Sequence, residues 1–581
     1  MAEAEDAVFD KIMTMVGDRG SFQKRFNYLF NVGQIIFASM AYMNIILALS
    51  VPDHNCYVPG RENTNFSVDE WKSIVLPREN DNRGMEVFSS CKMYNITGVD
   101  VQEVWSNTTK AEEVFNETIS CTHGYIYDKQ WYERTAVTQE DWVCDKDLYV
   151  TNTFVLNRVG ECFGTFIFGQ LGDTIGRRII YYLSMILTIS GRMLSIVTSS
   201  SFLMFSIASI LGSCAANTAF MSPLIIAMET SNVEARAHIA MMQCVGWTAG
   251  LCIMPMVFWW VRDWVWLLAL TTLPYGIFAL FPKYMVESPR WLANRRRFGD
   301  CAKQLNRIAK INGKDVEITE KMLVQMLPSS TEENIYGIAS LFSSWRLAKN
   351  ACLLVVSWSI CCIVYLSIIL NISRMGGNPF VNFLWQSLIE LPASVIGQKL
   401  GDIIGRRYTN VIGFLLAAFG CVPVIFMVKN TELDIYATAF TVFVKFAITI
   451  NFFAVNLQSM ETYPTCLRQT GISISAIIAN SLGVLGPYIV YLGTNFDARY
   501  PFIIMGLLLL LGATSSLFLP ETLYEKLPET LQEAQEFGAN QSFWFFPRAP
   551  SKDSKDPKTH SEENGKTDDV TEKLNQPQFQ P

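Results

Sequence analysis

Gly169-Gln170-Leu171-Gly172-Asp173-Thr174-Ile175-Gly176-Arg177-Arg178 returns, in part, as Leu400-Gly401-Asp402-Ile403-Ile404-Gly405-Arg406-Arg407, with 229 positions between Asp173 and Asp402. Each copy follows an apolar run of about twenty residues and precedes another, which is the length that crosses a bilayer as a helix. A short charged turn with glycines between two such runs reads as a loop at one membrane face. Two more echoes keep the same order. Met228-Glu229-Thr230 with Arg236 returns as Met460-Glu461-Thr462 with Arg468, and Glu287-Ser288 returns as Glu521-Thr522, at offsets of 232 and 234. Three ordered matches at nearly one spacing mark a duplicated unit, hence two homologous helix bundles.

Composition agrees. The 581 residues are 50% hydrophobic and 17% charged, too little charge for a soluble helical protein of this size, so the chain is a polytopic membrane protein. Its net charge of -7 falls largely outside the apolar runs and points to no nucleic-acid partner. Parallel repeats of this kind build one major class of secondary transporters.

The amino end has no cleavable apolar core, so residues 1–24 read as a cytoplasmic terminus and 25–50 as a first span acting as an internal signal-anchor. Residues 51–148 form a long polar segment with Cys56, Cys91, Cys121 and Cys144 and glycosylation sequons at Asn65, Asn95, Asn107 and Asn116. An even cysteine count clustered with sequons favours an extracellular, glycosylated, disulfide-linked loop. Residues 149–283 hold five more spans, 284–349 a cytoplasmic loop of short helices ending at a stop such as Asn312-Gly313, and 350–519 six further spans. Residues 520–581, rich in Ser, Lys, Asp, Glu and Pro, read as a disordered cytoplasmic tail. With this count of twelve helices, Arg177-Arg178, Arg295-Arg296-Arg297 and Arg406-Arg407 all face the cytoplasm, as the positive-inside rule expects.

The repeated glycine-aspartate-arginine turns, Glu287-Ser288-Pro289-Arg290-Trp291-Leu292 and Glu461-Thr462-Tyr463-Pro464-Thr465 with Arg468 resemble the major facilitator superfamily. Pro52-Asp53-His54-Asn55-Cys56 ahead of the sequon-rich loop narrows the resemblance to its organic cation, carnitine and anion transporters, the solute carrier family 22 type, over about residues 10–530. That resemblance implies an all-α membrane protein of twelve transmembrane helices in two six-helix pseudo-symmetric bundles, alternating access, and transport of small organic ions across the plasma membrane. It also implies the pairings Cys56–Cys121 and Cys91–Cys144, where relatives often carry a further bridge.

Ionisable residues inside apolar spans are expensive and therefore functional suspects. Glu161 stands twelve residues before Asp173 and Glu390 twelve before Asp402, so each lies about 18 Å from its turn at 1.5 Å per residue, close to midplane. Arg158 sits one helical turn from Glu161, whereas Ser387 holds the matching place beside Glu390, so Glu390 reads as the freer anion and the Glu161–Arg158 pair as structural. The resemblance implies a cavity position for the glutamate of a Glu-Leu-Pro string in helix 8, here Glu390. Lys445 in helix 10 lies about 24 Å from Glu461 along the helix and either snorkels outward, pairs with an acid, or meets a substrate carboxylate. Asn480 in helix 11 stands where cation carriers of the resembled family tend to have Asp and anion or carnitine carriers Arg. A neutral amide there fits neither pure class and leaves ammonium-bearing zwitterions open. Phe220, Trp247, Trp358 and Tyr365 offer ring faces for an ammonium group, and the seven-residue spacing of Trp358 and Tyr365 puts both on one face of helix 7.

Asp173, Arg177, Glu229 and Arg236, with Asp402, Arg406, Glu461 and Arg468, place opposite charges at the inner ends of neighbouring helices, where ion pairs can latch a gate. The reading is a carrier of small organic cations or ammonium-bearing zwitterions working by rocker-switch alternating access. One rival is an organic anion exchanger, if Lys445 and Arg158 rather than Glu390 line the cavity. The other is a non-transporting receptor that uses the loop. No Walker loop, zinc-ligand spacing or nucleophile motif occurs in a plausible setting, so no enzyme, metal or cofactor is expected.

Overall fold

The computed structural model describes residues 2–96, 117–326, 338–372, 375–464, 467–525, 528, 531–539 and 541–546. The apolar runs are helices: α1 (Ser21–Ala48), α2 (Leu148–Ile175), α3 (Arg177–Val197), α4 (Phe202–Glu229), α5 (Val233–Val261) and α6 (Trp264–Leu280). The second half follows with α7 (Trp345–Asn371), α8 (Pro379–Leu388 continuing as Glu390–Ile404) and α9 (Arg406–Met427). It ends with α10 (Asp434–Thr462), α11 (Arg468–Leu482 continuing as Leu485–Asn495) and α12 (Tyr500–Leu517). Among the described residues, nine helices are long and apolar enough to cross a membrane by length and composition. The other three are α6, which is shorter, and α2 and α8, which carry the acids and bases of the repeat.

The duplication is visible in the packing. In the first half α1 packs on α5 and α6, α4 on α2 and α3, and α3 on α6. In the second, α7 packs on α11 and α12, α10 on α8 and α9, and α9 on α12. The halves meet through α2 against α11 and α5 against α8, again a symmetric set. Met40, Met43 and Leu47 of α1 share an apolar cluster with Ile369 and Ile372 at the end of α7. In α1 the stretch Asn27–Gln34 is wound as a π-helix; Asn31 Nδ2 donates locally to Asn27 Oδ1 at 2.7 Å, while Gln34 Nε2 donates to the Tyr275 hydroxyl of α6 at 3.1 Å and to the Ala219 carbonyl of α4 at 3.4 Å.

The quoted turns have a structural explanation that also accounts for the third echo. Gly176 and Gly405 adopt φ +117° and +94° with extended ψ, a conformation open essentially to glycine. A Cβ at either would lie 2.4 Å from the carboxylate of Glu287 or Glu521. Those carboxylates accept hydrogen bonds from the first backbone N–H groups of α3 and α9: Arg177 N to Glu287 at 2.8 Å, Arg406 N to Glu521 at 2.8 Å and Arg407 N to Glu521 at 3.1 Å. Each half thus uses a glutamate beyond its sixth helix to cap the start of its third, where unpaired N–H groups and the helix dipole favour an anion. Gly405→Ala should therefore lower stability by about 1–3 kcal/mol through backbone strain alone. Thermal unfolding in detergent checks this against Gly401→Ala, where a Cβ meets nothing within 4 Å.

Between α1 and α2 the loop is a small domain with strands, which the all-α expectation did not include. β1 (His54–Cys56) pairs with β6 (Tyr125–Tyr127), β2 (Arg78–Asn80) with β3 (Glu86–Phe88), and β4 (Lys92–Tyr94) with β5 (Thr118–Ser120), all antiparallel. Cys56 is joined to Cys121 and Cys91 to Cys144. A helix over Val68–Val75, closed by a Ser67/Glu70 capping box, buries Trp71, Ile74 and Val75 against Met93 and Tyr94. Strands this short carry too little alternating pattern to stand out in sequence.

The domain touches both halves. Arg262 at the end of α5 donates to the carbonyl of Trp131, and Trp142 packs on Phe205 of α4. On the other half, the β2–β3 turn sends Arg83 to Asp434 at 3.0 Å and Asn82 Nδ2 to the Gly493 carbonyl at 2.9 Å. Nearby, hydrogen bonds from Arg499 hold the Asp497 carboxyl well below the usual range, with Lys429 assisting.

At the opposite face, helices Pro289–Asn294, Phe298–Asn312 and Glu320–Met326 follow α6, and Gly313 ends the second of them in the left-handed region at φ +69°. The tail is only partly the featureless segment its composition suggests. Leu531–Glu536 is helical, Phe546 stacks on Tyr408 and the Arg407 guanidinium lies over Phe543. Residues 547–581 lie outside the described residues.

Candidate functional site

The apolar character of α7 and α10 forces a polar side chain packed beside them to find partners inside the protein, and Glu390 of α8 gathers three. Its Oε1 accepts from the Tyr365 hydroxyl at 2.8 Å and lies 2.9 Å from Lys445 Nζ, while its Oε2 accepts from Trp247 Nε1 at 3.1 Å. Tyr365 belongs to α7, Lys445 to α10 and Trp247 to α5, so the glutamate sits at the junction of the two halves. Both charged side chains are buried, at 1% and 7% exposure, which rules out outward snorkelling by Lys445. While paired with Glu390, the Lys445 ammonium also sits over the Tyr365 ring, 3.1 Å from its centroid.

This corrects the expectation that Glu390 is the freer acid. The repeat comparison looked only along one helix, and the compensating charge arrives across the bundle from α10. Each repeat acid in fact has one cation and one tyrosine. Glu161 accepts from Tyr42 at 2.7 Å and from Arg158 at 2.8 Å, and Arg158 also donates to the Tyr42 hydroxyl at 2.7 Å. The helix supplying the cation differs, α2 in the first half and α10 in the second. At the repeat offset of 232 the counterpart of Lys445 is Ser213, which accepts from Arg192 at 3.4 Å.

Rings close the site. Tyr365 and Trp358 both contact Phe452, at 5.8 and 5.1 Å between centroids. Across the junction Trp247 contacts Phe220 at 5.2 Å and Tyr42 at 5.9 Å. Asn480 lies half-buried in α11 and takes no part in the hydrogen bonds around Glu390. Tyr42, Phe452 and Arg192 were not singled out from sequence. Phe452 follows Lys445 by seven residues, the spacing that paired Trp358 with Tyr365, and Arg192 is a base inside an apolar run, so both carried a usable signal. Nothing distinguished Tyr42 from other aromatics.

A cavity of about 30 Å³ lies beside Tyr42, Arg158, Glu161 and Arg192, room for about one water and not for an organic solute. Among the described residues, the side-chain hydrogen bonds joining the helices of the two halves lie at the level of these acids and toward the face carrying the loop domain. Cys162 Sγ meets Ser481 Oγ at 3.3 Å, the Tyr488 hydroxyl donates to Asn152 at 3.4 Å and the Tyr491 hydroxyl to Asp147 at 3.2 Å.

The charges at the opposite face pair within each half. Arg406 binds Glu461 through two nitrogens at 3.0 and 3.1 Å and lies 3.5 Å from Asp402. Arg177 is 2.6 Å from Asp173 but 3.9 Å from Glu229. Arg236, in α5, forms no ion pair among the described residues, and Arg468 opens α11. Of the sequons, Asn65 is exposed, Asn95 is half-buried, and Asn107 and Asn116 lie outside the described residues.

Residues 102–533 match the family described as sugar (and other) transporter. The chain belongs to that family. As a member of the sugar (and other) transporter family it is a multi-pass membrane carrier with the major facilitator fold, not an enzyme. It is 28% identical to the carcinine transporter of Drosophila melanogaster over 548 residues, 92% of this chain and 80% of that one. It is 27% identical to organic cation/carnitine transporter 2 of Homo sapiens over 531 residues, 90% and 93% of the two chains. The inward-open structure of the xylose transporter XylE from E. coli superposes with a TM-score of 0.53 at 15% identity, covering 69% of this chain and 90% of that one. This last likeness concerns the fold alone.

Proposed function

We propose that this family member carries small organic cations or ammonium-bearing zwitterions across the plasma membrane by alternating access. All twelve helices cross the bilayer in this reading, both termini are cytoplasmic, and the loop domain is extracellular and glycosylated. The observation that carries it is the buried Glu390 carboxylate, ringed by Tyr365, Trp247 and, one contact further, Phe452 and Trp358, at the junction of the halves. A carboxylate with aromatic faces is the chemistry that replaces the water lost by an ammonium ion. The similarity to carriers named for carcinine and for organic cations and carnitine supports the same class. The closure of the halves on the loop-domain side supports a conformation whose path opens toward the opposite face.

The two cations that the anion-exchanger reading relies on, Lys445 and Arg158, both face carboxylates. Cells expressing the protein should accumulate radiolabelled amines or ammonium zwitterions above control cells and fail to accumulate dicarboxylates. Dicarboxylate uptake without uptake of any ammonium-bearing solute would overturn the proposal.

A further inference from the structure

We infer that Glu390 and Lys445 together form a dipolar clamp, which makes zwitterions, with an ammonium group at one end and a carboxylate at the other, the preferred substrates over simple cations. The inference rests on the reading of Glu390 as a substrate contact and narrows it.

Two side chains at 1% and 7% exposure must keep their charges balanced against each other. Glu390 and Lys445 lie 2.9 Å apart and are buried, and their charges cancel. Among the described residues Glu390 is the carboxylate within ion-pair reach of Lys445, and Glu161 is already engaged by Arg158 and Tyr42. A simple cation that docks on Glu390 must displace the lysine ammonium and strand it in an apolar interior, where an unpaired charge is strongly disfavoured. A zwitterion placed between the two meets Glu390 with its ammonium and Lys445 with its carboxylate, so every charge keeps a partner.

The positions of the groups suit this exchange. The Lys445 ammonium occupies the face of Tyr365, a ring that itself contacts Phe452, and a ring face is the environment that an incoming ammonium would seek. Lysine carries its charge on a flexible four-carbon stem, so it can withdraw from the ring and follow the substrate carboxylate without a change in helix position. In the absence of substrate Lys445 stands in for the ligand and keeps the closed site neutral.

The test compares uptake of glycine, β-alanine, 4-aminobutanoate and 6-aminohexanoate with uptake of the primary amide of each, which keeps the ammonium and loses the carboxylate. In wild type at least one acid should exceed its amide tenfold or more. Lys445→Met should reverse that preference, lowering acid uptake at least tenfold and raising amide uptake, whereas Lys445→Arg should keep the acid preferred. Equal uptake of acids and amides by wild type, or an unchanged ratio in Lys445→Met at normal surface expression, would overturn the clamp while leaving the carrier reading intact. Uptake of neither series nor of any amine would overturn both. If Lys445→Met does not reach the surface, the thermal shift of purified wild type decides: stabilisation by the acids and not by the amides supports the clamp, and equal stabilisation overturns it.

Discussion

Glu390→Gln should unfold at a markedly lower temperature than wild type and lose at least nine-tenths of its uptake, with the two losses separable in a second variant. The substitution removes the carboxylate that, among the described residues, pairs with a lysine that is 1% exposed. Breaking one side of a buried ion pair costs roughly 3–5 kcal/mol, because the remaining charge stays desolvated and unpaired. Gln keeps an acceptor for Tyr365 and nearly the same volume, so the loss reports charge rather than packing. Removing both charges in Glu390→Gln/Lys445→Met should recover most of the stability, since apolar replacement of a whole buried pair is often neutral or favourable. Transport should not recover. Thermal melts and uptake on the single and double variants measure both quantities. A single variant as stable as wild type would show that water reaches Lys445 in the resting protein.

The second large effect lies at the charged turns. Glu461→Gln should destabilise the protein by about 2–3 kcal/mol, since Arg406 is only 10% exposed and donates to both Glu461 oxygens, leaving it Asp402 at 3.5 Å and the Gly401 carbonyl. Glu461 also accepts from the Thr522 hydroxyl, so one side chain ties α9, α10 and the segment after α12. The repeat-equivalent change Glu229→Gln should cost about 1 kcal/mol or less, because Arg177 is 3.9 Å from Glu229 and keeps Asp173 and the Gly172 carbonyl. Urea or thermal unfolding of the two variants side by side checks the asymmetry, and equal losses would contradict it. Sequence alone ranks these two glutamates as equals.

The same contrast shows what could be read in advance. Duplicated turns, a glutamate twelve residues before each, and an echo beyond each sixth helix were enough for two bundles and for the depth of the central acids, because depth along a helix is arithmetic at 1.5 Å per residue. Azimuth is not available from one chain. Counting along α8 placed Ser387 beside Glu390 and could not show that α10 turns Lys445 toward it, although the depths of about 18 and 24 Å differ by an amount a lysine stem spans. The role of Glu287 and Glu521 was equally hidden. The repeat flagged them, but a carboxylate that caps a helix more than a hundred residues earlier in the chain leaves no local periodicity. In the loop domain, three-residue strands gave no usable alternation, and the cysteines were the legible part.

The distant caps also impose an order on biosynthesis. The start of α3 waits for Glu287, 110 residues downstream of Arg177, and the start of α9 waits for Glu521, 115 residues downstream of Arg406. At about 5–20 residues per second on the ribosome, each third helix spends roughly 5–20 s with its first amides unmet before the half that contains it can close. Each half is therefore a timed unit that becomes self-sufficient only when its last residues emerge, and a nascent chain halted just short of either glutamate would present an unfinished bundle to the quality-control machinery.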